Sequence, residues 1–310
     1  MNYDYIAVIG ATATGKTDLA VKIASLVNGE IISCDSRQVY RGMDIGTGKD
    51  LSSYKTSNGV IPYHLIDILE PMEDYNVFRF LEDFYNCFTD IKGRGKVPIL
   101  CGGAYMYFTA LFLRYGLVKV ENLEEKAEAL MTFEHEELIA ELKKLNPLLH
   151  NRTDLTDKFR TAKALIISRE SIQEELDKGL THGPVELNPL ILATEVSREE
   201  FYKRIRIRLS ERLRDGLVDE VRHLMNSGLS VERLDFFGME YKFAVKYLRS
   251  ELTKNDMIQK LINSINDYAK KQITGINKLE RNGIAVNWVP PEDIAKVKAV
   301  LIESGFLISE

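Results

Sequence analysis

The chain has 310 residues, enough for one large domain or a core domain with a smaller insert, and either can bury a sizeable core. It is 45% hydrophobic and 28% charged with a formal net charge of −5, so any nucleic-acid site must be a local basic patch rather than a global basic excess. No stretch approaches the roughly 18 apolar residues of a membrane span, no signal segment precedes the first apolar run, and Cys34, Cys87 and Cys101 lack metal-ligand or disulfide-framework spacing, which together predict a cytoplasmic protein without a membrane partner.

The first predicted strand, Tyr5 to Ile9, runs into Gly10-Ala11-Thr12-Ala13-Thr14-Gly15-Lys16-Thr17, which opens a predicted helix. This is the phosphate-loop pattern of Gly, four residues, Gly-Lys-Ser/Thr, in the strand-to-helix context it requires. Glycines let the backbone curl so that successive N–H groups and the helix N-terminus converge on a phosphate, while Lys16 adds a point charge and Thr17 a hydroxyl for Mg²⁺. The loop alone does not separate a nucleotide from another diphosphate.

Further apolar runs at Glu30 to Ser33, Tyr63 to Leu69, Val97 to Leu100, Pro189 to Ala193 and Ile284 to Val289 alternate with helical stretches. That alternation predicts a parallel sheet covered on both faces, with ligands at the carboxyl ends of the strands. Past the second strand stand Asp35, Ser36 and Gln38. Asp35 is a candidate general base or Mg²⁺ partner, or else Asp35 and Ser36 cap the next helix. Asp67, after the third strand, is a weak match to a Walker B acid, and no water-activating acid supports a motor-type ATPase. After the fourth strand, Gly102-Gly103 serves close approach of backbone to ligand or a tight turn. The five scattered histidines are read as surface or core residues rather than metal ligands.

From about Leu117 to Asn188 the pattern turns helical and Glu/Lys-rich, the length of an inserted subdomain. Leu123 to Leu145 reads as one helix ending near Asn146-Pro147, and Asp154 to Lys178 as another stopped by Gly179. Arg160 and Lys163 share a face of the second, which by spacing alone is an ordinary solvated face. Ser197-Arg198-Glu199-Glu200 is a capping box opening a long helix with a stripe from Phe201 to Leu224. The densest basic patch, Lys203, Arg204, Arg206, Arg208, Arg212 and Arg214, lies near its start, and Arg204 and Arg208 are spaced to grip a phosphate from one helix face. A last long helix from Asp256 to Leu279 should turn Ile258, Leu261, Ile265, Ile273 and Ile276 inward, before a final strand and a terminal helix.

Several stretches, in order along most of the chain, resemble the tRNA dimethylallyltransferase family, also called isopentenyl-tRNA transferases. They are Gly10 to Thr17, the long and idiosyncratic run Ile32 to Thr47, His64 to Ile68, Pro98 to Gly103, Gly216 to Val221, and Tyr268 to Thr274. The fold expected is α/β, a P-loop NTPase-like parallel sheet flanked by helices, with residues 1–116 and 189–310 forming the catalytic core and residues 117–188 an inserted helical tRNA-binding subdomain. The resemblance implies transfer of a dimethylallyl group from dimethylallyl diphosphate to the exocyclic N6 amine of the adenosine on the 3′ side of the anticodon, by a monomeric enzyme that uses Mg²⁺ and binds the anticodon stem-loop. Carried over, Gly10, Thr12, Ala13, Thr14, Gly15, Lys16 and Thr17 hold the diphosphate, with Mg²⁺ at Thr17. Asp35 takes the amine proton, and Arg204 helps bind the leaving diphosphate. Asp35, Ser36, Arg37, Gln38, Ala104, Phe159, Arg160, Lys163, Lys271 and Gln272 meet the tRNA.

The chain departs from the family pattern at Ala104, where Thr is usual, at Gly275, where Trp is common, at Asn277, where Arg is expected, and over Phe236 to Tyr241. The alternatives are an adenylate isopentenyltransferase acting on free adenine nucleotides and a P-loop small-molecule kinase binding ATP.

Overall fold

A computed structural model describes residues 3–113, 120–145, 155–178 and 187–308, the side chains of 171–178 excepted. Asn146, Pro147, His150, Asp154, Gly179 and His182 lie outside them, as do the expected insert boundaries at residues 116 and 117. The chain divides into two units, Met1–Leu113 with Leu187–Glu310, and Arg114–Glu186.

In the first unit the strands are β1 (Tyr5–Ile9), β2 (Gly29–Cys34), β3 (Lys55–Thr56), β4 (Gly59–Val60), β5 (Tyr63–His64), β6 (Val97–Gly102), β7 (Pro189–Thr194) and β8 (Asn287–Val289). All but the small β3–β4 hairpin form one parallel sheet ordered β5-β2-β6-β1-β7-β8. The period-two alternation of a strand sorts its side chains between two cores. Tyr5, Ala7 and Ile9 of β1 join one apolar cluster, and Ile6 and Val8 the other. Every β1 residue is buried, which is why the sequence there is an unbroken apolar run.

The helices are α1 (Lys16–Val27), α2 (Val77–Gly93), α3 (Tyr105–Phe112), then α4 (Leu123–Ala129), α5 (His135–Leu145) and α6 (Lys158–Lys178) of the second unit, and α7 (Arg198–Arg214), α8 (Leu217–Asn226), α9 (Val231–Phe236), α10 (Met239–Leu248), α11 (Lys254–Arg281) and α12 (Ile294–Glu303). None among the described residues is long and apolar enough to cross a membrane. The second unit has its own small core of Ala127, Leu138, Leu142, Ala162, Leu165 and Ile166.

Several expected elements come out differently. The third strand is only Tyr63–His64, because Leu65 and Asp67 take positive φ (62° and 54°), a region that breaks extended pairing; Leu69 forms only an isolated parallel bridge with Tyr40 of the loop after β2. The expected helix Leu123 to Leu145 is two, separated by a 3₁₀ turn at Leu130–Thr132 and the extended Phe133. The helix expected from Ser197 to Leu224 also splits, since Gly216 sits at φ 106° between the end of α7 and the start of α8. Ser197 caps α7 through Glu200 N at 3.3 Å, but the Glu200 carboxylate turns to Arg204 Nε at 2.7 Å rather than completing the box. On α11 Ile273 is 40% exposed, while Leu261, Ile265 and Ile276 are buried and Ile258 half-buried.

Candidate active site

The phosphate loop is held from three sides. Gly10 must lack a side chain, because a Cβ there would lie 2.0 Å from Thr194 Oγ1 at the end of β7. Thr14, buried, shares a 2.6 Å hydrogen bond with that hydroxyl and donates to Ala11 O at 2.7 Å, so its side chain shapes the loop rather than facing a ligand. Ala13 and Gly15 take the left-handed conformation (φ 61° and 82°), which curls the loop onto the N-terminus of α1. Lys16 Nζ donates to Ala11 O at 2.5 Å.

Two cavities meet at this loop. One, of about 710 Å³, is lined by Ala13, Gly15, Asp18, Asp50, Arg204 and Glu292 among others. The second, of about 480 Å³, holds Thr12, Asp35, Ser36, Arg37, Gln38, Gly103, Ala104, Tyr105, Tyr268 and Gln272. Lys16, Thr17, Arg208 and Arg212 line both, so three cations and a hydroxyl stand at the junction. Burial pulls the Lys16 ammonium down to about 8, with Cys101 and Asp35 opposing the shift and the Arg208 charge adding to it. Burial, then the Arg212 charge, lowers Arg208 to about 10. Crowded, partly desolvated cations of this kind are repaid by an anion.

Asp35 opens a turn after β2, not a helix: its Oδ1 accepts from Arg37 N (2.8 Å) and Gln38 N (3.3 Å). Its Oδ2 has no hydrogen-bond partner among the described residues. The following loop is clamped by groups from several elements. Glu220 accepts the N–H groups of Asp44, Ile45 and Gly46 and the Tyr241 hydroxyl, all at 2.7–3.0 Å. Three successive N–H groups on one carboxylate form an anion nest closed by the protein itself. Arg208 and Arg212 reach Gly48 O (3.4 Å) and Gly46 O (3.3 Å), and Gln38 Nε2 donates to Gly48 O at 3.2 Å. Lys49 is bound to Tyr40 O and the Asp67 carboxylate, so Asp67 holds this loop.

Arg204 lies beside the loop: a Cβ on Gly15 would be 3.6 Å from its Nη1. Ala104 caps α3 and its N–H reaches Cys34 O at 3.2 Å. Gly102 and Gly103 serve close approach to protein rather than a bare turn, since Cβ atoms there would sit 2.0 Å from Cys34 O and 2.4 Å from Gln272 Nε2. Gln272, expected on RNA, is 3% exposed with its amide committed inside the protein, accepting from Thr12 N and donating to Gly103 O at 2.8 Å each. Its neighbour Lys271 is exposed. Gly275 packs on Tyr105, where a Cβ would lie 2.9 Å from Tyr105 Cβ, so the aromatic ring of α3 occupies space beside the departure at Gly275. Arg37 stacks over Phe236 at 4.2 Å. In the second unit, Phe159 lies under Lys163 Nζ at 4.7 Å, Lys163 pairs with Glu124 at 2.6 Å, and Arg160 is exposed with its N–H on Asp157. Among the described residues no three His, Cys, Asp or Glu side chains cluster to hold a metal alone. The Thr17 hydroxyl at the cavity junction fits Mg²⁺, which takes few protein oxygens alongside phosphate oxygens and water.

Arg212, with Glu240 3.0 Å from its Nη1, Glu220 and Thr194 are the site-building residues missed, whereas Arg208 stands where its pairing with Arg204 pointed. The basic patch on α7 was visible in sequence, and Arg208 and Arg212 follow Arg204 at one-turn spacing, a signal sufficient to place all three on one face.

The family described as IPP transferase matches residues 38–278, and Isopentenyl transferase matches residues 3–58. A protein of Pelobacter propionicus named tRNA dimethylallyltransferase 2 is 46% identical over 306 residues, covering 98% of this chain and 96% of its own length. One of Syntrophus aciditrophicus, tRNA dimethylallyltransferase 1, is 43% identical over 97% of this chain and 98% of its own. Among solved structures, the full-length tRNA isopentenylpyrophosphate transferase of Bacillus halodurans superposes with a TM-score of 0.66 at 30% identity, covering 99% of this chain and 97% of that one.

Proposed function

The chain belongs to the tRNA dimethylallyltransferase family, and on that premise we propose that it moves a dimethylallyl group from dimethylallyl diphosphate to the N6 amine of the adenosine 3′ to the anticodon, giving N6-isopentenyladenosine. The observation that carries this reading is that the Asp35 carboxylate and the cations Lys16, Arg208 and Arg212 line one cavity. An adenine amine is a weak nucleophile. Its lone pair bonds to C1 of the prenyl group as the C1–O bond breaks, its proton passes to Asp35, and the electron pair leaves with diphosphate. Asp35 accepts through Oδ2, while Oδ1 is pinned by Arg37 N and Gln38 N. The backbone of Gly10 to Thr17, with Lys16, Arg204 and Arg208, receives the charge of the departing diphosphate. Mg²⁺ at Thr17 would neutralise phosphate oxygens when bound. The adenine must be unstacked and held flat, which suits a cavity with Tyr105 and Tyr268 on its walls. On the insert, Arg160 and Lys163 contact phosphates of the anticodon stem-loop, and the enzyme acts as a cytoplasmic monomer.

The test is mass analysis of tRNA nucleosides after incubating the purified protein with tRNA, Mg²⁺ and dimethylallyl diphosphate. Isopentenyladenosine is expected. Product on free AMP but not on tRNA would move the reading to the nucleotide-acting enzyme, and ADP formed from ATP in step with turnover would move it to a kinase.

A further inference from the structure

Arg204, Arg208 and Arg212 project from successive turns of α7, about 6 Å apart along its axis. Arg204 lines only the larger cavity, whereas Arg208 and Arg212 line both. Gly48, at φ 68°, admits the two inner guanidinium groups: a Cβ there would lie 1.8 Å from Arg212 Nη2 and 2.6 Å from Arg208 Nη2. The Arg212 side chain is only 13% exposed, yet it is half used. Nη1 reaches Glu240 Oε1 at 3.0 Å and Gly46 O at 3.3 Å, while Nη2 and Nε meet no acceptor among the described residues. A guanidinium carries five donors in a rigid fork, so fixing one edge on a carboxylate and a carbonyl presents the other edge in a defined orientation.

Resting on the prenyl-transfer reading above, we propose that Arg212, aligned by Glu240, is a diphosphate-binding residue that grips the leaving group at the junction of the two cavities. Glu240 is a positioning residue. It holds the fork in register and offsets one positive charge while the junction is without its anion. In the reaction Arg212 gains or loses no proton; it donates hydrogen bonds to diphosphate oxygens whose charge grows as the C1–O bond opens. Repulsion from Arg212 contributes to the lowered basicity of Arg208, a cost that an anion between them removes.

Inorganic pyrophosphate, titrated calorimetrically into the full chain with Mg²⁺, reads this site without tRNA or prenyl donor. Arg212→Met should weaken pyrophosphate binding about 10-fold or more, and Arg212→Lys should recover part of it, a point charge replacing a fork. Glu240→Gln keeps every cation but loosens the fork, and should weaken pyrophosphate by about 2- to 5-fold while leaving tRNA affinity unchanged. A folded Arg212→Met with wild-type pyrophosphate affinity overturns the proposal, as does a loss confined to tRNA binding. Should Arg212→Met not fold, Glu240→Gln and Arg212→Lys decide by the same readout. Pyrophosphate binding through Arg212 in a protein that makes no isopentenyladenosine would sink the function reading and leave this one standing.

Discussion

The amide of Gln272 accepts the N–H of Thr12, 260 residues away in the chain, at 2.8 Å, and hands its own N–H to Gly103 O at the same distance. One buried side chain on α11 thereby ties the phosphate loop to the double-glycine turn in the wall of the smaller cavity.

Replacing that amide tests whether the tie is structural. Gln272→Ala leaves two backbone groups without their partner and should lower stability by about 1–3 kcal/mol. The loop loses its lateral support, so pyrophosphate affinity should fall while tRNA affinity is largely kept. Denaturant midpoints and pyrophosphate titrations check both. A tRNA-specific defect with unchanged stability would return Gln272 to the RNA.

Asp35→Asn separates base from turn-maker. The Asn oxygen still accepts from Arg37 N and Gln38 N, so the turn and the melting temperature should hold, while proton acceptance is lost and kcat should drop by ~10²-fold or more. Near-normal turnover would leave Asp35 the turn alone.

Lys16 gives a pH signature. Its folded value of about 8 lies below the ordinary 10.5, so between those values the unfolded chain holds a proton that the folded one has released, and stability rises with pH across that window. Diphosphate favours the charged form. Binding above about pH 8 should therefore take up close to one proton, and affinity should weaken about 10-fold per further pH unit. Calorimetry in buffers of different ionisation enthalpy at about pH 9 measures the uptake; none would mean that Lys16 stays charged in the free protein.

Glu220 supports the loop that Arg208 and Arg212 touch. Glu220→Ala orphans three N–H groups and the Tyr241 hydroxyl, and should cost about 2 kcal/mol, since part of that backbone can turn to water. Pyrophosphate binding should weaken with it, because both arginines lose their carbonyl rests. An unchanged unfolding midpoint would show the nest to be dispensable.

What the sequence showed and what it hid divide along the range of the interactions. The strand Tyr5–Ile9, the loop after it and the carboxylate past β2 are local patterns, and a buried parallel strand must be an apolar run. The split at Gly216 was signalled by its glycine but masked by an apolar stripe that continues across it. Positive φ at Leu65 and Asp67 had no local sign, since neither residue type favours it strongly enough to announce it. Glu220 and Gln272 were visible as motif residues, yet their partners at Gly46 and Thr12 come from distant segments that only the folded sheet brings together.

The last prediction concerns Arg160 and Lys163 on α6. Lys163 is already paired with Glu124 of α4, whose side chain is 78% exposed, so a phosphate must compete with a carboxylate for the same ammonium. An exposed pair of this sort is worth at most about 1 kcal/mol, which a polyanion with condensed counterions can overcome. Arg160→Ala with Lys163→Ala should weaken tRNA binding and reduce the slope of log affinity against log salt by about 0.7 to 0.9 per lost phosphate contact, with pyrophosphate affinity untouched. Glu124→Gln should act in the opposite sense, tightening tRNA binding several-fold because Lys163 no longer leaves a partner. The two variants differ in charge by design: if the face meets RNA, their effects have opposite signs, and if it is merely solvated, both leave the salt slope and turnover on tRNA at wild-type values, which would remove this helix from the tRNA interface.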